Sequence, residues 1–262
     1  MKQKAYLLSL LFLFALTYSC KKDSANDIID LQSAYKLKYI TEYRESSPED
    51  TDTIYYEFLG ESFIIKTHNS ISRYENHYSK NGNTFQYDAY SNGSKSHTGI
   101  YLLNNTGLVD SSRIIRANNT VNNTSKNLYN SKGQSIINMT DYVTYRNLYT
   151  RTWQDDNIKY MIHTFTSLTN PSLNRRDSIV MEYLNHENNS AYLSPIEKKL
   201  GTFTKNLLSK RFYFNEEKVL YQTWEFEYNF DAKGRVTQKV WSIYKQPEKT
   251  LDRRDVTTYV YD

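Results

Sequence analysis

Apolar and polar residues alternate one for one along much of this chain, and that period of two constrains the fold more than any other feature. The alternation is clearest over residues 35–39, 54–58, 159–165, 210–214, 224–230 and 257–261. Successive side chains of an extended strand point to opposite faces, so alternation marks a strand with one face buried. The apolar half of these runs is largely Tyr, Phe, Val, Ile and Trp, types that suit a pleated, half-buried surface. Helical periodicity is nearly absent. Ser194-Pro195-Ile196-Glu197, closed by Gly201, has capping-box spacing with Pro at the first helical position, enough for one or two turns. Residues 27–35 are a weaker candidate. The pattern predicts an all-β chain: a single domain over 34–262, a large antiparallel meandering sheet of consecutive hairpins with at most one or two short helices.

A degenerate repeat joins the strands. Tyr78 precedes Gly82, Tyr101 precedes Gly107, Tyr129 precedes Gly133 and Tyr228 precedes Gly234, each with an Asn or Asp between them. An Asx side chain bonds the turn's own backbone, and Gly takes the left-handed conformation that closes a three-residue hairpin loop. The copies lie 25, 26 and 101 residues apart, too uneven for a solenoid or propeller. In the copy at Asp231, a type I turn with Gly234 as its bulge sets Asp231 opposite Arg235. Phe226 then faces Val240, Phe230 faces Val236 and Glu227 faces Lys239, pairs worth about 0.2–1 kcal/mol each. A two-residue loop would set Phe226 on Lys239 instead. In the preferred register Trp241 shares a polar face with Glu225 and Glu227, and Trp224 directly opposite Trp241 would refute it.

The first nineteen residues differ from the rest. Lys2 and Lys4 precede an almost wholly apolar run from Leu7 to Leu16, the layout of a secretory signal. Ten to twelve residues fall short of the ~20 needed to span a bilayer. The run ends Leu16-Thr17-Tyr18-Ser19-Cys20, and Cys20 is the one cysteine of the chain. This resembles a bacterial lipobox, and the resemblance implies cleavage before Cys20 and a diacylglycerol on its thiol. Residues 1–19 are then a lipoprotein signal peptide, and the polar stretch 20–33 is a tether. Lys22-Asp23 partly matches the surface-export signal of Bacteroidota lipoproteins, so the expected address is the outer membrane, facing either the periplasm or the cell surface.

Tyr228 to Val236, preceded by Gly201 to Leu207, is similar to Bacteroidota cell-envelope lipoproteins carrying a Tyr-Asp-x-x-Gly-Arg hairpin domain of unknown function. That resemblance implies meandering antiparallel strands and no established activity. Tyr-Asp repeats also build large toxin-enclosing shells, for which four copies are too few.

Net charge is +4, from 33 basic and 29 acidic residues of scattered sign. No basic stripe marks a nucleic-acid partner. Phosphate loops, dinucleotide fingerprints and nucleophile elbows are missing, so nothing calls for a cofactor. His186-Glu187 lacks the second His of a zincin, and Ser33-Ala34-Tyr35-Lys36 lacks the companion motifs of a Ser-x-x-Lys enzyme. The five His are dispersed, with no metal spacing. Glu225 and Glu227 lie about 7 Å apart on one strand face, side by side rather than across a cleft, as a glycosidase pair must be.

Asp23-Ser24-Ala25, Asp52-Thr53-Ile54 and Asp177-Ser178-Ile179 resemble the periplasmic O-glycosylation signal of Bacteroidota, with Thr53 and Ser178 expected beside loops. Trp241 on an otherwise polar face is a candidate glycan platform with Glu225 as acceptor, unless an insertion such as 184–200 folds over it. Two function classes follow: a lipid-anchored envelope binding or structural module, whose partner is a glycan or an envelope protein, or a small glycan-processing hydrolase assembled from distant loops. An open sheet without a deep cleft favours the first.

Overall fold

The computed structural model describes residues 37–59, 62–188 and 199–261. They form sixteen antiparallel strands in a single closed sheet. The wall begins with β1 (Leu37–Arg44), β2 (Ser47–Leu59), β3 (Ser62–His68), β4 (Arg73–Asn81) and β5 (Thr84–Ser91). It continues through β6 (Ser94–Leu103), β7 (Val109–Arg116), β8 (Val121–Tyr129), β9 (Ser135–Tyr142), β10 (Tyr145–Gln154) and β11 (Asn157–Ser167). β12 (Arg175–Glu187), β13 (Asn206–Phe214), β14 (Leu220–Phe230), β15 (Val236–Lys245) and β16 (Thr250–Tyr261) complete it. Each strand pairs with the next, and β16 returns to β1 with Ile40 opposite Tyr259 and Glu42 opposite Thr257. The all-β meander expected from the alternation is present, and its two edges meet. Closure removes the unpaired backbone rows that edge strands would expose. A one-turn 3₁₀ helix, Pro171–Leu173, interrupts the β11–β12 connection, capped by the Asn170 side chain. Residues 194–198 of the short helix expected between Ser194 and Gly201 lie outside the described residues, and Gly201 has the positive φ, +60°, of a closing glycine.

All four repeat hairpins fall at one end of the barrel, the lower end, with the start of β1 and the end of β16. Three share one geometry. Asn104, Asn130 and Asp231 each accept the backbone N–H groups two and four residues ahead at 2.9–3.0 Å. The glycine three residues ahead donates to the same residue's carbonyl, with φ between +74° and +78°. Asn215 builds this loop at the upper end with Lys218 at φ +61°, so Gly eases the turn without defining it.

The β14–β15 hairpin corrects the expected register. At the turn Asp231 faces Arg235 and Phe230 faces Val236, as expected. A bulge then inserts Thr237: Asn229 pairs with Gln238, Phe226 with Trp241 and Glu227 with Val240. Trp224 lies opposite Ile243. Beyond a one-residue slip every side chain changes face, so Trp241 and Lys239 turn inward and Glu225 and Glu227 stay outside.

The inward face is aromatic. Phe63 stacks on Tyr78 at 4.3 Å between ring centroids, and Tyr78, Tyr87 and Tyr101 follow at 5.2 and 5.9 Å. Such pairs add about 0.5–1.5 kcal/mol beyond their burial. The best-buried apolar side chains, Phe63, Phe85, Val109, Leu207 and Val236, lie toward the lower end. There residues 199–205 cross the mouth as a strap. Gly201 accepts from Ser135 N–H at 2.7 Å, and Lys205 N–H donates to Asp156 at 3.0 Å. Leu207 then packs with Ile40, Val236 and Tyr259.

Gly99 sits opposite Tyr87, whose ring occupies the space where a Cβ would stand, 1.9 Å from the nearest carbon. Gly99→Ala is expected to displace the ring and cost about 1–3 kcal/mol. Gly234→Ala meets open space and is expected to cost about 1–2 kcal/mol from its positive φ alone. Urea unfolding, with near-ultraviolet circular dichroism reporting the tyrosine packing, checks both.

Candidate functional site: the barrel lumen

Above the strap, the lumen holds a cavity of about 630 Å³. Phe203 and Thr204 of the strap line its lower side, and the walls include Ile54, Ile158, Met161, Met181 and Phe226. One register layer higher, Tyr213, Trp224 and Trp241 form an aromatic run with centroids 5.1 Å apart at each step. Tyr183 and Tyr228 also line the cavity, but their hydroxyls donate to the carbonyls of Ile158 and Leu208 at 2.8 and 2.9 Å. Burial pushes the Tyr228 phenol up to about 12, and Tyr183 upward for the same reason. Both phenols are therefore neutral donors at any physiological pH.

Charges inside the barrel are mostly matched. Asp255, 2% exposed, takes Arg253 at 2.6 Å and Arg44 at 3.9 Å, and Arg253 also lies over the Trp241 ring. Asp177, also 2% exposed, takes Arg175 at 2.8 Å and His163 at 3.6 Å. At the rim, Arg235 pairs with Asp231 of its own turn. Arg151 and Arg211 differ. Arg151 donates to Ser135 Oγ at 3.0 Å, and Arg211 lies over Trp224 and Phe226. Neither has an ion pair among the described residues, and both line the cavity. Burial lowers the Arg151 pKa.

The candidates read from sequence are not brought together. Trp241 faces the lumen, whereas Glu225 faces out and pairs with Lys210 at 3.4 Å and Lys249 at 3.2 Å. The shared platform is thus lost to the Thr237 bulge. Thr53 and Ser178 sit within β2 and β12 rather than beside loops, and Ser178 Oγ accepts the Tyr160 hydroxyl at 2.9 Å. Cys20 and Ser24 lie outside the described residues. Arg151 and Arg211 were missed, although each occupies the apolar half of an alternating run, between Tyr149 and Trp153 and two residues before Tyr213.

His163 and Asp177 make a His–carboxylate pair, but the other ring nitrogen faces the Asn147 carboxamide at 3.0 Å, not a nucleophile. Among the described residues no group of three His, Cys, Asp or Glu side chains is placed to hold a metal.

No protein-family profile and no curated protein sequence matches the chain. Among solved structures it is similar to a porin-like protein from Bacteroides uniformis. That alignment covers 88% of this chain and 98% of the other, with TM-score 0.56 and 10% identity. A porin-like protein from Bacteroides vulgatus aligns over 86% and 98%, at the same TM-score and identity. At this identity the likeness defines the fold class, a closed meander barrel. Barrels that span membranes turn an apolar band outward and polar groups inward. Here the outward mid-strand positions are mixed: Glu57, Lys66, Glu75 and Asp88 on β2 to β5, but Ile100, Met139, Leu148, Ile162, Val180 and Phe212 on β6 and β9 to β13, while tyrosines and tryptophans fill the inside.

Burial lowers the pKa of His163 and of His97 below the ordinary 6.5. The folded state therefore binds fewer protons than the unfolded chain, and stability falls as pH drops through 6.5. The melting temperature is expected to be lower at pH 5.5 than at 7.5, and the slope to flatten in the His97→Gln/His163→Gln variant.

Proposed function

We propose that this chain is a lipid-anchored envelope protein of the Bacteroidota, held at the outer membrane through Cys20, whose barrel is a binding module with its ligand inside the lumen. The cavity over the strap carries this reading: apolar and aromatic side chains line it together with convergent polar and charged ones, and its volume falls in the 300–1,000 Å³ range of small-molecule sites. A pore is disfavoured by the strap across the lower mouth. A hydrolase is disfavoured because the His163–Asp177 pair has no nucleophile beside it. In this reading residues 1–19 are removed, 20–33 tether, and the chain enters the barrel at its strapped end.

Replacing Cys20→Ser is expected to abolish lipidation and move the protein from the detergent phase to the aqueous phase, with unchanged far-ultraviolet circular dichroism. Undiminished membrane partition of the variant would overturn the anchor. We also propose glycan on Ser24, Thr53 or Ser178; intact mass of native material should exceed the lipidated polypeptide, and a mass accounted for by lipid alone would exclude it.

A further inference from the structure

We infer that the lumen binds an anionic amphiphile, an apolar chain carrying a carboxylate or phosphate head, with Arg211 and Arg151 as its charge partners; this rests on the lumen being the binding element. Three inward arginines, Arg44, Arg175 and Arg253, each have an aspartate, and Arg116, opposite His97, holds the Asn122 carboxamide. Arg151 and Arg211 have no acidic partner among the described residues, and they are the two arginines that line the cavity. The Nε of Arg211 is buried without a hydrogen-bond partner. A desolvated cation without a counter-charge is costly, and a bound anion would supply one. Glu42 is the one acidic residue in the lining, against Arg151, Arg211 and Lys239.

The rest of the wall is mixed, with Asn188, Thr202, Thr204 and Thr257 among its polar members, and its apolar half is what favours a chain over a sugar. A glycan needs many free hydrogen-bonding groups, yet Tyr183 and Tyr228 have committed their hydroxyl protons to backbone carbonyls. Ile54, Ile158 and Phe226 offer apolar surface, and Met161 and Met181 are unbranched thioethers that adapt to a flexible occupant.

The test uses the full chain carrying Cys20→Ser in detergent-free buffer, with a conjugated C18 tetraene carboxylate as probe, read by energy transfer from the tryptophans. Saturable binding is expected, displaced by hexadecanoate and hexadecyl phosphate. The tighter of these two identifies the head group. Hexadecanol should compete about tenfold or more weakly, since a hydrogen-bonded charge contributes at least that factor, and glucose 6-phosphate should not compete. Arg211→Met should weaken both anions about tenfold without lowering the melting temperature, because it removes an unmatched charge. Met161→Trp, which fills the cavity, should abolish binding. The inference is overturned if no saturable binding occurs, if hexadecanol matches the anions, if either variant binds as the parent does, or if Arg211→Met lowers the melting temperature as a structural arginine would. These outcomes are independent of where Cys20→Ser partitions, so failure of the ligand class is distinguishable from failure of the anchor.

Discussion

The pairing of β16 with β1 is the contact on which the rest of this structure depends. Without it the chain is a long open sheet with two unpaired edges and no inside. With it, every strand acquires a lumen face and an outer face. The period of two in the sequence then becomes a radial sorting of side chains. That explains how a chain with 39% hydrophobic residues, 25 of its residues being Tyr, sustains a single large sheet. Tyrosine has the area to line a lumen and a hydroxyl that can satisfy a neighbouring carbonyl. Tyr129, Tyr183, Tyr228 and Tyr261 each donate to a backbone carbonyl on another strand.

The inside and outside of the wall treat charge differently. Outward pairs such as Lys66 with Glu57 are solvent-screened and contribute about 0–1 kcal/mol each. Asp177 and Asp255 are removed from water, where an unpaired carboxylate would be costly, and each is held by arginine. Against that background Arg151 and Arg211 are exceptions. They put positive charge into the cavity that the strap closes from below.

Much of the fold was legible because its signals are local. Alternation gave the strand class, and Asp231 with Gly234 gave the turn, down to Asp231 facing Arg235. The bulge at Thr237 carries no comparable local mark, since no Gly or Pro stands there, yet it alone moves Trp241 from the polar face to the lumen. The hairpin at Asn215 lacks the local mark of the other copies because Lys218 stands where they have Gly. Closure was not legible either: the pairing of Ile40 with Tyr259 joins residues at opposite ends of the chain, and no short-range pattern encodes it. The site suffered for the same reason. Arg151 comes from β10, Arg211 from β13 and Phe203 from the strap, so the cavity exists only once the sheet has closed around them.

Closure is therefore the claim to measure. Spin labels on cysteines introduced at Thr41 and Thr258, directly opposite one another across the β1–β16 seam and both on the outer face, report it by dipolar spectroscopy in the Cys20→Ser background. A closed barrel places the labels within roughly 20 Å once their arms are added to the ~4.8 Å strand spacing. An open sixteen-strand sheet would set them on the order of 70 Å apart at the same spacing, and that result would contradict the lumen, the cavity and everything assigned to them.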